Sequence, residues 1–212
     1  MSNQKIKIFV ICDDEHYCNW IRDKEFTHKM KEADLVVGIG GSDVSNIYYN
    51  QPDSGKLHCY PEFDKYEYEH YLKAISLKKP IVGICKGAQW ASALSGGAIF
   101  QNIIHPHHHF IETNDGQRFI VNSLHHNLID LSQLKENEDY KMLAWANHLS
   151  PIHINGYNQN IKCEKEPEIV WFKKINFLGF QMHPEMMHYN SKFDSTMSYF
   201  KNLLNLFMVG NL

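Results

Sequence analysis

The run Ile81-Val-Gly-Ile-Cys85-Lys-Gly-Ala-Gln89 passes from a β-branched apolar stretch, through a cysteine set among glycines, straight into an apolar helix-like stretch. A strand that turns sharply into a helix makes the residue at the turn project from the strand tip, and small neighbours relieve the crowding. Backbone N–H groups at the helix start, carrying the positive end of its dipole, then face the thiol and favour thiolate. Cys85 is the first candidate nucleophile.

The rest of the chain supplies the sheet that such a turn requires. Residues 6–11 read as a buried first strand ending at Asp13 and Asp14, and 35–39 as a second one that stops at Gly40-Gly41-Ser42-Asp43. Asp43 is expected to cap the segment that follows. Between these strands, 19–32 is polar and irregular and predicts a short helix or an irregular connection. Residues 48–62 predict a loop, broken by Pro52, Gly55 and Pro61. Over 65–78 apolar residues recur at helical intervals (Tyr68, Tyr71, Leu72, Ile75), so this helix feeds the elbow strand through Lys79-Pro80, and its tyrosine stripe, Tyr66 included, predicts packing. From about residue 98 the pattern shifts to short strand-like runs at 119–123, 141–146, 169–172 and 177–181, an antiparallel or mixed extension. A last helix is expected over 193–207. With 212 residues, 43% of them hydrophobic, and no repeat or linker composition, one domain over 1–212 is expected. The alternation of strand and helix predicts an α/β fold, a three-layer α/β/α domain with a central, mostly parallel sheet.

Charge and cysteine usage exclude several classes of partner. The formal net charge of −3 offers no basic field for a phosphate backbone, so no nucleic-acid partner is expected. The longest mainly apolar stretches, such as 6–12 and 33–41, fall well short of the roughly 20 residues a membrane helix needs. No membrane partner is expected, and no export signal is visible, since acidic residues follow the first apolar run at 13–15. Five cysteines without repeated spacing predict free thiols in a reducing cytoplasm. Cys12, His16 and Cys18 lack a second pair to close a tetrahedron. His105-Pro-His107-His-His109 has the look of a metal tract, but no carboxylate or cysteine accompanies it in the sequence. It predicts a solvated loop or channel wall, and neither metal nor other cofactor is expected.

A cysteine nucleophile needs a base, and the base a group to orient it. The strand-like run 177–181 is followed at once by Met182-His183-Pro184-Glu185. Extended geometry would put His183 and Glu185 on one side, with one imidazole nitrogen toward the carboxylate and the other toward the thiol.

Gly83-Ile-Cys85-Lys-Gly87-Ala-Gln89 and Phe180-Gln-Met-His183-Pro-Glu185 together resemble the two signatures of the class I glutamine amidotransferase-like superfamily, whose fold is flavodoxin-like. The likeness is sharper to its γ-glutamyl hydrolase-like branch, peptidase C26, which includes γ-glutamyl-γ-aminobutyrate hydrolases. Gly40-Gly-Ser-Asp-Val44 with Tyr48-Tyr49, Gly96-Gly-Ala-Ile-Phe-Gln-Asn-Ile103 and Val121-Asn-Ser-Leu-His-His126 resemble that branch's segments in order, over roughly residues 33–188. The resemblance implies Cys85 as nucleophile, His183 as base and then acid, and Glu185 as the group that orients it. It implies an oxyanion hole of the Gly41 and Lys86 N–H groups. Gln89 and the backbone of Ser123 and Leu124 would hold the amino-acid end of a γ-glutamyl group, with His125 lining its pocket. The substrate would be a small γ-glutamyl compound or glutamine. Lys86, where many glutamine-using members carry leucine, is nearer the hydrolase branch's arginine and favours a free-standing hydrolase. Departures lie in the short 13–33 segment and in Ser45-Asn46, where that branch often has a proline. A second reading is a glutaminase subunit serving a separate synthetase, and a third, of another class, is a non-catalytic binding or assembly protein. The resemblance also admits a homodimer.

Overall fold

The computed structural model describes residues 5–157 and 159–212. In chain order it contains β1 (Ile6–Val10), β2 (Lys24–Phe26), β3 (Leu35–Gly38), α1 (Pro61–Ser76), β4 (Ile81–Ile84), α2 (Lys86–Leu94), β5 (Ala98–Phe100), β6 (His108–Thr113) and β7 (Arg118–Asn122). There follow β8 (Leu128–Asp130), β9 (Tyr140–Asn147), β10 (Lys165–Phe172), β11 (Phe177–Phe180), α3 (Pro184–Met187) and α4 (Asp194–Met208). Nine strands form one mixed sheet in the order β2-β1-β3-β4-β11-β10-β9-β6-β7, while β5 and β8 make a separate two-stranded ribbon. Strands β2, β1, β3, β4 and β11 run parallel, and every pairing from β11 outward to β7 is antiparallel.

The continuous apolar runs of β3, β4 and residues 8–10 of β1 follow from this layering, because strands covered on both faces have no polar side to show. Ile8 and Val10, Leu35 and Val37, Val82 and Ile84, and Leu178 and Phe180 face the layer that contains α4. Phe9, Val36, Ile81 and Phe177 face the opposite layer, which holds residues of α1 and α2. On the first face Phe200 of α4 meets Phe180 edge-on at 5.2 Å; on the second Tyr71 of α1 packs on Phe177 at 5.4 Å.

Of the two forms expected for 19–32, the segment takes the irregular connection rather than the helix, and it also supplies β2, preceded and followed by 3-10 turns at Glu15–Cys18 and Met30–Glu32. As a three-residue edge strand, Lys-Glu-Phe, it leaves no apolar face to read in sequence. Helix α1 begins at Pro61, earlier than its apolar periodicity announces, because proline suits a first helical position. Tyr68 and Tyr71 pack on Trp90 as predicted, but Tyr66 is exposed. Among the described residues no helix is long and apolar enough to cross a membrane.

At the carboxyl edge of the parallel strands, β3 runs into the glycine turn, β4 into Cys85 and β11 toward His183. Clefts of open α/β sheets lie at this edge.

Candidate active site

Cys85 sits between β4 and α2 with φ 53° and ψ −105°, a positive φ that crowds any residue with a Cβ and costs about 1–3 kcal/mol. Two close crossings impose it. A methyl group on Gly83 would stand 2.4 Å from the Gly87 carbonyl carbon, and one on Gly87 would stand 2.7 Å from the Gly38 oxygen. Strand and helix therefore approach as only glycines allow. The Cys85 N–H donates to the Phe180 carbonyl at 2.7 Å, and its own carbonyl accepts from Ala88 and Gln89, the start of α2. Cys85 is 7% exposed.

His183 arrives at the end of β11. Its Nδ1 bonds Glu185 Oε1 at 2.7 Å, and both side chains are almost fully buried. The two reach this geometry differently from the expected extended pair: Pro184 opens the one-turn helix α3, His183 precedes its first residue, and Glu185 lies in the turn itself. Burial works against protonating this imidazole, yet hydrogen bonding to Cys85 and Glu185, with the charge of both, outweighs it and carries its pKa up to about 10. Asn122, at the end of β7, clamps the His183 backbone on both sides, accepting its N–H at 2.9 Å and donating to its carbonyl at 3.0 Å. Tyr17 lies against the same ring, 6.3 Å between centroids, and burial with the nearby Glu185 and Cys85 charges pushes its hydroxyl up to about 12.

A raised pKa on His183 has a definite sign in folding. Its contribution to stability is complete below the unfolded value near 6.5 and is lost as pH climbs through about 10. In an NMR titration the His183 ring is expected to change protonation near pH 10, and in Cys85→Ala to do so at distinctly lower pH. An unchanged midpoint in that variant would mean that the thiol does not act on the imidazole.

The Lys86 side chain is buried, not turned toward solvent. Its Nζ lies 2.7 Å from Asp64 Oδ1 and 2.6 Å from Glu67 Oε2, both on α1. Burial opposes its charge, but Glu67 and Asp64 together raise its pKa. Asp64 Oδ2 also accepts the Ser45 N–H at 2.9 Å and the Ser45 hydroxyl, and Glu67 accepts the Trp90 indole N–H at 3.2 Å. One buried network thus joins the elbow helix, α1 and the loop that follows Gly41. Lys86 opens α2, so its N–H has no acceptor within the helix.

Gly41, Lys86, Gln89, Leu124 and His125 border one cleft with Cys85, whose free volume is about 20 Å³, room for about one water. Gln89 Nε2 donates to the Asn127 carbonyl at 3.0 Å, and His125 Nδ1 bonds the same carbonyl at 3.0 Å. Ser123 departs from expectation: it is buried behind the wall, and its N–H is spent on the His107 carbonyl at 2.8 Å. Asp43 caps no helix. Its carboxylate accepts from His58 N–H, Asn127 Nδ2 and His126 Nε2, tying loops on two sides of the cleft together.

The histidine tract is likewise not a solvated loop. His105 and His109 have buried side chains, whereas His107 is exposed. Glu166 and Glu168 of β10, some sixty residues away in the chain, lie against the two buried rings, a juxtaposition invisible until the strand order is known. Asn122, Tyr17, Asp64, Glu67 and Asn127 also carry no local sequence signal for their contacts.

A profile of the peptidase C26 family matches residues 20–127, which takes in the glycine turn, the elbow and the 121–127 wall and stops before His183. The glutamine amidotransferase-like protein YvdE homolog of Lactococcus lactis subsp. cremoris is 31% identical over 125 residues, 48% of this chain and 66% of that protein. YvdE of Lactococcus lactis subsp. lactis strain IL1403 is 30% identical over 48% of this chain and 53% of its own length. The chain thus matches between half and two thirds of these relatives. A solved glutamine amidotransferase from Thermotoga maritima superposes with a TM-score of 0.56 and 16% identity, over 97% of this chain and 90% of that one. At that identity the likeness is one of fold.

Proposed function

The chain belongs to the peptidase C26 branch of the class I glutamine amidotransferase-like superfamily, and from that membership we propose that it is a cysteine-dependent hydrolase of γ-glutamyl amides. The observation that carries this reading is the His183–Glu185 hydrogen bond at the carboxyl end of β11, beside a Cys85 thiol that raises the imidazole's pKa and sits on a strained turn at the end of β4.

In this reading His183 takes the Cys85 proton while Glu185 holds the ring in place. The sulfur attacks the γ-carbonyl carbon, and the N–H groups of Gly41 and Lys86 receive the oxyanion, each donor contributing about 3 kcal/mol to the transition state. As the C–N bond breaks, His183 delivers its proton to the departing amine, leaving a γ-glutamyl thioester. Water then gives a proton to His183 and its oxygen to the acyl carbon; the sulfur leaves, and glutamate is released. Gln89, Leu124 and His125 are the groups placed to hold the amino-acid end. The Ser123 N–H, already bonded, is not among them.

The nearly filled cleft favours one second reading, a glutaminase subunit whose site opens on docking a synthetase. Purified protein, incubated with glutamine and a panel of γ-glutamyl amides, is expected to release glutamate unaided. Turnover only with an added synthetase would replace the first reading by the second. No turnover in either case, with Cys85 no more reactive to alkylation than Cys163, would leave a binding or assembly protein.

A further inference from the structure

Behind the cleft wall lies a cluster of which only His125 borders the Cys85 cleft. The segment entering β6 brings His105, β6 brings His109, the loop after β7 brings His125, and β10 brings Glu166 and Glu168. Both carboxylates are fully buried, and among the described residues no lysine or arginine pairs with either. Glu166 is saturated: it accepts the N–H groups of Leu149 and Ser150 at 2.9 and 2.7 Å, and Nε2 of His105 and His153 at 3.0 and 2.7 Å. Glu168 accepts His109 Nε2 on Oε1 at 2.8 Å, while its Oε2 has no partner.

These bonds determine which imidazole atoms are left over. A carboxylate or carbonyl only accepts, so the ring nitrogen facing it carries the proton, and in a neutral ring the other nitrogen presents a lone pair. His105 donates through Nε2 to Glu166, leaving Nδ1, which faces Glu168 Oε1 at 3.7 Å. His125 donates through Nδ1 to the Asn127 carbonyl, leaving Nε2. Among the described residues, His105 Nδ1, His125 Nε2 and Glu168 Oε2 are all buried without a hydrogen-bond partner. One ligand atom from each of the three residues lies within 4.8 Å of the others. Lone pairs converging in a buried site that also holds two carboxylates repel one another, and a divalent cation removes that cost.

We propose that His105, His125 and Glu168 form a zinc-binding site behind the wall of the Cys85 cleft. Two imidazoles and a carboxylate are a zinc donor set. The surroundings fit as well: each imidazole is held through its other nitrogen by a carboxylate or a backbone carbonyl, the arrangement that orients zinc-bound histidines. The carbonyl that fixes His125 also takes the Gln89 amide, so the ion would brace the cleft wall without entering the reaction.

The test needs no turnover, so its failure is separate from failure of the hydrolase reading. Full-length protein purified from zinc-supplemented medium should carry about one zinc per chain by elemental analysis, and its melting temperature should rise with added zinc and fall with chelator. Cobalt(II) in its place should give the visible absorption of a low-coordinate nitrogen and oxygen site. Glu168→Gln should weaken zinc at least about 100-fold, Glu166→Gln by about 10- to 100-fold, and the exposed-site control His28→Ala not at all. Should Glu168→Gln fail to fold, His125→Asn serves in its place with the same expectation. Less than about a tenth of an equivalent of zinc together with no zinc-dependent melting shift would overturn the proposal. Wild-type affinity in the folded Glu168→Gln or His125→Asn variant would overturn it too, by placing the metal on surface histidines.

Discussion

Replacing Cys85 by alanine is expected to lower glutamate release from any accepted γ-glutamyl amide by roughly 10⁶-fold, the scale of loss when an enzyme is deprived of its nucleophile. No neighbouring group can substitute: Cys12 and Cys18 belong to other elements, and burial pushes the Cys12 thiol up to about 11 and the Cys18 thiol up to about 12. The fold should survive. Alanine keeps the Cβ at the elbow, so the crossings at Gly83 and Gly87 are untouched and the protein should still melt cooperatively with an unchanged circular dichroism spectrum. Assaying released glutamate for both proteins checks this, and a variant retaining about a hundredth of the wild-type rate would rule out attack by Cys85 sulfur.

Lys86→Met should be the most damaging substitution for stability, by about 3–5 kcal/mol in urea unfolding, because it leaves Asp64 and Glu67 buried without their cation. Methionine keeps most of the side-chain volume, so the effect is one of charge and hydrogen bonding. A loss below about 1 kcal/mol would show that the pair makes no such contribution. The triple change Lys86→Met, Asp64→Asn, Glu67→Gln should recover much of the loss, since no unpaired charge then remains. The pH dependence has one sign. The Lys86 pKa is raised by Glu67 and Asp64 against burial, so its contribution is complete below the ordinary lysine value near 10.4 and lost only above it. The gap between wild type and Lys86→Met should therefore hold across neutral pH and narrow in strong alkali. Activity should fall as well, because Asp64 holds Ser45 in the loop that follows Gly41.

The parts of this molecule readable from sequence are those whose cause is local. A strand buried on both faces must be apolar, so β3, β4 and the inner part of β1 announce themselves, and Gly83 is required by its crossing with nearby Gly87, although Gly87 itself is required by Gly38 of distant β3. His183 and Glu185 are legible as a pair, although the turn that joins them is helical and not extended. What stays hidden is set by strand order. Lys86 looks like a surface residue beside a nucleophile until α1 brings Asp64 and Glu67 over it. Asn122 looks like a strand end until β7 is seen to pass beside His183. The 105–109 tract looks isolated because its carboxylates arrive on β10, reached only through β9. Two strands fail for another reason: edge strand β2 and inner strand β6 alternate or expose their side chains, and their polarity reads as loop.

The dihedral angles of Cys85 bear on how such a chain would change under selection. φ 53° with ψ −105° is close to the mirror image of an ordinary extended residue, which glycine adopts freely and cysteine does not. Glycine at this position would release about 1–3 kcal/mol of strain, so the folded state by itself favours losing the thiol. Mutational drift in a lineage that had ceased to use the sulfur would run toward that relaxed, more stable form. A cysteine kept at a position where it weakens the fold argues against a purely architectural protein, and a heat-stable relative with glycine here would mark the point at which the chemistry was given up.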